Sequence, residues 1–137
     1  MIAFFDTNIH ISLLTGAVSL DHLVQQIGSF PVRLSPVVAS ELLRGVSSQP
    51  RGVVERLVRQ LVSLEPPSWR QCWYDAGRLL PRIFPHQEEV GLNRLQNDLL
   101  LALTARHTGA LFVTSDGRFE TIRRLLPFRL HKLQINH

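Results

Sequence analysis

Apolar and polar positions along this chain switch between two periods, and the switching marks out a succession of short strands and amphipathic helices. The first apolar block, Ile2 to Phe5, is short and unbroken, the pattern of a strand covered on both faces. Asn8–Leu14 reads as a short helix stopped by Thr15-Gly16. Leu20, Leu23, Val24 and Ile27 then recur at helical spacing, and Gly28 closes that helix. Val32–Leu34 is a second strand. Ser35-Pro36 follows it, a hydroxyl cap ahead of a first-turn proline, and so starts a helix that carries Val37, Val38, Glu41 and Leu42 to near Gly45.

A turn is expected at Ser47-Ser48-Gln49-Pro50. Val54, Leu57, Val58 and Leu61 mark another amphipathic helix, which leads into a third strand at Val62–Leu64 before Pro66-Pro67 break the chain. Trp69, Cys72, Trp73, Ala76, Leu80 and Ile83 share one face of the next helix, a stripe for the core or for a partner. A helix from Leu92 to His107 ends at Gly109. Ala110–Val113 is a fourth strand, Phe119–Leu126 a short helix and Leu130–Ile135 a fifth strand. Strands alternating with helices specify the α/β class, a three-layer αβα sandwich about a parallel sheet. Ligands of such sheets bind beyond the carboxyl ends of the strands, where strand order reverses. Asp6 and Asp116 stand at two such ends.

At 137 residues the chain suits one domain spanning its whole length, able to bury about two-thirds of its unfolded surface. A lone cysteine, Cys72, excludes an internal disulfide and a cysteine-based zinc site; within its apolar stripe it reads as inert packing. The net charge is +4, and Lys132 is the only lysine. Arginine grips phosphate with a fixed fork of donors, so the balance suits a phosphate or nucleic-acid binder, although an arginine-rich proteome would give it too. The apolar opening is too short for a secretory signal and carries Asp6 where such a stretch continues. No apolar run approaches the roughly 20 residues that span a bilayer. A cytoplasmic protein without membrane association is expected.

Asp98 is the most informative acid. It lies in "RLQNDLLLALTARHTG", a helix apolar enough to be buried, beside Leu101, Ala102 and Ala105 on the same face. A carboxylate there needs compensation. Arg94, one turn earlier, is the only base spaced to supply it, and a metal ion is the better compensator. Glu41, Asp6 and Asp116 each have an ordinary explanation as helix acids or caps. Together, two acids end strands and two sit on helices near the same edge. Such a set needs cations among its members, and all-oxygen ligands suit Mg²⁺ or Mn²⁺. Thr7, Asn8, Thr114 and Ser115 are placed to orient those acids or hold water. His86, Glu88 and Glu89 more simply face water.

In order, "FFDTNIHISLL", "LSPVVASELLRG" and "NDLLLALTARHTGALFVTSDGRF" resemble the acidic motifs of PIN-domain nucleases, nearest to the VapC-like toxins of bacterial toxin–antitoxin pairs. The resemblance runs the length of the chain. It implies that Asp6, Glu41, Asp98 and Asp116 are the metal-binding acids and that Thr114 is the hydroxyl residue before the last of them. It further implies a five-stranded parallel sheet of order 3-2-1-4-5, divalent-metal-dependent cleavage of RNA, a cognate antitoxin partner and a homodimer. One position departs: many relatives carry an acid where this chain has Arg118, which either weakens a second metal site or meets substrate or antitoxin.

The mechanism so implied has Asp6, Asp98 and Asp116 holding the principal ion, with Glu41 a further ligand or the group that orients water. Arg44 and Arg118 are the nearest candidates for flanking phosphates, unless they are solvated surface charge. A phosphoacceptor receiver domain fits less well, because Asp6 has no adjacent acid. A haloacid dehalogenase-type phosphatase wants an acid at Asn8, and glycine-rich nucleotide binding finds no glycine in Asp6-Thr7-Asn8. A PIN-like domain that binds nucleic acid or a partner without cutting is the alternative left.

Overall fold

The computed structural model describes residues 1–45, 49–86 and 91–134. The turn expected at Ser47 and Ser48, the acids Glu88 and Glu89, and Ile135 lie outside the described residues.

The opening apolar block forms β1 (Ala3–Phe5), buried throughout. It is flanked by β2 (Val32–Arg33) on one side and β3 (Leu111–Thr114) on the other, with β4 (Leu130–Lys132) beyond β3, all parallel. Phe4 pairs with Phe112, and their rings meet at 4.8 Å. Because side chains alternate along a strand, Phe4 and Phe112 enter one core cluster while Ala3, Phe5 and Val113 enter another. The layers follow from this. Helices α1 (Thr7–Thr15) and α2 (Leu20–Ile27) cover the face of Phe5. Helices α3 (Pro36–Leu43), α4 (Arg51–Gln60), α5 (Trp69–Ile83), α6 (Leu92–Thr108) and α7 (Arg118–Leu125) pack around Phe4 and Phe112.

This is the expected three-layer sandwich, with one correction: among the described residues the sheet has four strands and not five. The third expected strand is reduced to one parallel bridge, Leu34 to Ser63. Two 2.9 Å bonds hold it, from Leu34 N–H to the Val62 carbonyl and from Leu64 N–H to the Leu34 carbonyl. The segment lies outside β2, where the order 3-2-1-4-5 puts it. Pro66-Pro67 just beyond provide no N–H groups, so the ladder has nothing to continue with.

Local signals act as the sequence indicates. Ser35 Oγ accepts from Val37 N–H at 3.2 Å and Pro36 opens α3. Gly109, at φ 74°, takes the left-handed turn that ends α6. On α5, Cys72, Ala76 and Ile83 are buried, but Trp73 is 48 % exposed and does not share their face into the core. Among the described residues, no helix is long and apolar enough to cross a membrane.

His10 gives the fold a pH dependence. It is buried on α1 with its ring 5.4 Å from that of Phe5, and its Nε2 lacks a hydrogen-bond partner among the described residues. Burial depresses its pKa from 6.5 to about 4. The unfolded chain therefore takes up this proton first: the contribution is complete above pH 6.5 and is lost as pH falls toward 4. Between pH 7 and pH 5 the loss is roughly 2 kcal/mol. His10→Phe keeps an aromatic ring beside Phe5 and removes the proton. In urea unfolding, the variant should gain roughly 2 kcal/mol on the wild type between pH 7 and pH 5. Parallel pH profiles for the two proteins would mean that His10 titrates normally.

Candidate active site

The central strands β1 and β3 end side by side, and the chain turns away from each on an aspartate. Asp6 follows β1 with its N–H still bonded to the Val113 carbonyl at 2.9 Å. Asp116 lies just beyond Thr114, the last residue of β3. Glu41 reaches the same edge from α3, and Asp98 from α6. All four line one cleft of about 430 Å³, together with Thr7, Asn8, Arg44 and Arg118. Thr114 is fully buried beneath it, and Ser115 is partly exposed nearby without lining it.

Asp6 fills two offices at once. Its Oδ1 accepts from Thr7 N–H at 2.8 Å and caps α1, while its Oδ2 accepts from the Thr114 hydroxyl at 2.8 Å. Thr114 Oγ1 also accepts from Asp116 N–H at 3.0 Å, so one hydroxyl ties both strand-end acids together. Asp116 Oδ1 accepts from Arg118 N–H at 2.9 Å, at the first residue of α7. The ordinary capping explanation is thus correct for Asp6, whereas Gly117 and not Asp116 is the N-cap of α7, and both acids line the cleft.

The cation beside Asp98 is not the one its helix suggests. Arg94 approaches Asp116 instead, at 4.0 Å. Arg118 donates to Asp116 Oδ2 through Nε at 3.0 Å and Nη2 at 2.6 Å, and the same Nη2 lies 3.2 Å from Asp98 Oδ2. That contact is an ion pair without hydrogen-bond alignment, so Asp98 Oδ2 has no hydrogen-bond partner among the described residues. Spacing within a helix reports only partners on that helix; Arg118 arrives from another.

These contacts set the proton affinities. Burial raises Asp98 to about 7, against the opposing pull of Arg118. Burial also raises Asp6, although the bonds from Thr114 and Thr7 resist it. Half-buried Glu41 is raised by desolvation and then by the charge of Asp6. Only Asp116 moves down: burial pushes it up, but the bonds and charge of Arg118, with Arg94, outweigh that. The cluster is short of positive charge on the side of Asp6, Glu41 and Asp98.

Oxygen donors, surplus negative charge and an unpartnered Asp98 oxygen fit a hard divalent cation in chemistry. Among the described residues, no group of three or more His, Cys, Asp or Glu side chains is gathered to take a metal ion. Arg118 is turned onto two of the acids. Asn93, Arg94, Asn97 and Ile11 also line the cleft. Of these, the sequence points only to Arg94, and in another role, as the base spaced to reach Asp98. The usable signal was a polar patch in the first turns of a helix otherwise apolar, directly ahead of Asp98.

A family model described as PIN domain matches residues 3–125. The chain belongs to the PIN domain family. The resemblance carried by the acidic motifs therefore named the right family. Among solved structures, this PIN domain is similar to VapBC2 of Rickettsia felis bound to a promoter DNA fragment: 22 % identity, TM-score 0.63, covering 98 % of this chain and 100 % of that one. It is also similar to VapBC-1 of nontypeable Haemophilus influenzae, at 21 % identity and TM-score 0.64, over 96 % of this chain and 98 % of that one. DNA-bound VapBC of Salmonella typhimurium matches at 20 % identity and TM-score 0.65, over 96 % and 98 % of the two chains. At such identities the likeness is one of fold. No curated protein matches the sequence.

Proposed function

We propose that this PIN domain is a divalent-metal-dependent endoribonuclease and the toxin of a type II toxin–antitoxin pair. The observation that carries the reading is that Asp6 after β1, Glu41 of α3, Asp98 of α6 and Asp116 after β3 line one cleft at the strand-order reversal. The similar structures are VapBC complexes, which supports an antitoxin protein as partner. A homodimer and a cytoplasmic setting belong to the same reading.

Asp6, Asp98 and Asp116 would hold Mg²⁺ or Mn²⁺, with Glu41 as a further ligand or as the group that orients the attacking water. When bound, the ion supplies Lewis acidity at the scissile phosphate and a more acidic water. The chain supplies the rest. Thr114 fixes the Asp6 carboxylate and the backbone of Asp116 through one hydroxyl. Glu41, its proton affinity raised by burial and by the charge of Asp6, would be the group that takes a proton from water. Arg44, Arg94 and Arg118 around the cleft bind the flanking phosphates, so RNA affinity falls as salt is added.

One observation favours the alternative of a binding domain that does not cut: a guanidinium bridges two of the acids. Incubation of the purified protein with single-stranded RNA separates the two. A nuclease cleaves with Mg²⁺ or Mn²⁺ and stops with EDTA. RNA retained intact under every ion would leave the binding domain.

A further inference from the structure

We propose that Arg118 is the built-in counter-cation of the acid cluster, and that a divalent ion enters the site only by displacing its guanidinium. This rests on the reading of these acids as a metal site and adds what controls entry to it.

The geometry requires an exchange and not a simple addition. Asp116 Oδ2 accepts two N–H groups from Arg118, at 2.6 and 3.0 Å, which occupies the lone pairs an ion would use. The same Nη2 lies 3.2 Å from Asp98 Oδ2, so the guanidinium lies between two of the acids that would hold the ion. Carboxylate oxygens bind Mg²⁺ at about 2.1 Å, closer than they bind any guanidinium nitrogen, and a dication so near a cation is strongly repelled. Arg118 has somewhere to go, since its side chain is 24 % exposed at the cleft. Its backbone N–H, which bonds Asp116 Oδ1 at 2.9 Å, is untouched when the side chain leaves. Arg94, at 4.0 Å from Asp116 and largely exposed, is too distant to perform the same blocking.

Removing the guanidinium should therefore tighten metal binding, the opposite of what loss of a ligand does. In calorimetric titration with Mn²⁺, without RNA, Arg118→Ala should bind at least about tenfold more tightly than wild type, the equivalent of one charge-assisted pair no longer to be broken. Arg118→Lys keeps a charge but loses the fork and should fall between them. Adding Asp98→Asn to Arg118→Ala should abolish the gain, which locates the ion. An affinity for Arg118→Ala equal to or weaker than wild type overturns the proposal. A second measurement needs no variant: in arginine-labelled wild type, the Nε–H resonance of Arg118 should move toward that of free arginine as Mg²⁺ saturates. A resonance unmoved at saturation also overturns it. RNA cleavage enters neither readout. Tighter Mn²⁺ binding by a protein that never cuts RNA would refute the nuclease and leave the exchange standing, while cleavage with unchanged affinity would do the reverse.

Discussion

Asp98→Asn should abolish RNA cleavage and yet make the ion-free protein more stable above neutral pH. Asp98 is buried, and its carboxyl is pushed up to about 7 because burial outweighs the help of Arg118. The folded protein thus holds this proton over a range where the unfolded chain, with an ordinary carboxyl near 3.8, has lost it. Stability from the group is complete below the unfolded value and drains away as pH rises through 7. At pH 8 the ionised acid costs on the order of 4 kcal/mol, which a neutral amide of the same shape does not. Thermal unfolding in EDTA should show the variant ahead of wild type at pH 8, with the gap closing toward pH 5. Cleavage with Mn²⁺ should fall by at least about 100-fold, as expected when a group poised for developing charge is removed. Equal cleavage by the two proteins would remove Asp98 from the mechanism. A lower stability for the variant at pH 8 would show that Arg118 compensates the acid fully.

Thr114→Val should cost more than its small change of shape suggests. The residue is fully buried, and its hydroxyl both donates to Asp6 and accepts from Asp116 N–H. Valine keeps the volume and leaves a buried carboxylate oxygen and a part-buried N–H unpaired. The expected loss is roughly 2–4 kcal/mol in urea unfolding. Asp6, deprived of the bond that lowers its proton affinity, should become still harder to ionise. Cleavage should drop about 10- to 100-fold, the usual effect of losing a group that orients a ligand. Thr114→Ser keeps the hydroxyl and should recover most of both losses. If valine and serine behave alike, the hydroxyl is not what holds the two acids.

The scaffold was legible because its signals are local. The unbroken block at Ile2–Phe5, Ser35-Pro36 before α3 and Gly109 after α6 each report on their own few residues, and each forms as expected. The acids were legible for a related reason: an aspartate at a strand's end, or inside an apolar helix, conflicts with its surroundings wherever the rest of the chain goes. What could not be read is relational. Whether Val62–Leu64 extends its pairing depends on what its edge position and the prolines after it permit, and only the Leu34–Ser63 bridge survives. Arg118 shares no helix with Asp98, so nothing in the spacing joins them. The exposure of Trp73 is of the same kind. A stripe drawn at helical spacing was one residue too wide, because the core is met by Cys72, Ala76 and Ile83.

The most direct test is a crystal structure of the protein grown with Mn²⁺, with anomalous scattering used to locate the ion. The account predicts a peak touching the carboxylates of Asp6, Asp98 and Asp116, with the Arg118 guanidinium turned out of the cluster. A protein that cleaves RNA in Mn²⁺ but shows no ion among those acids, or shows one elsewhere, would contradict it.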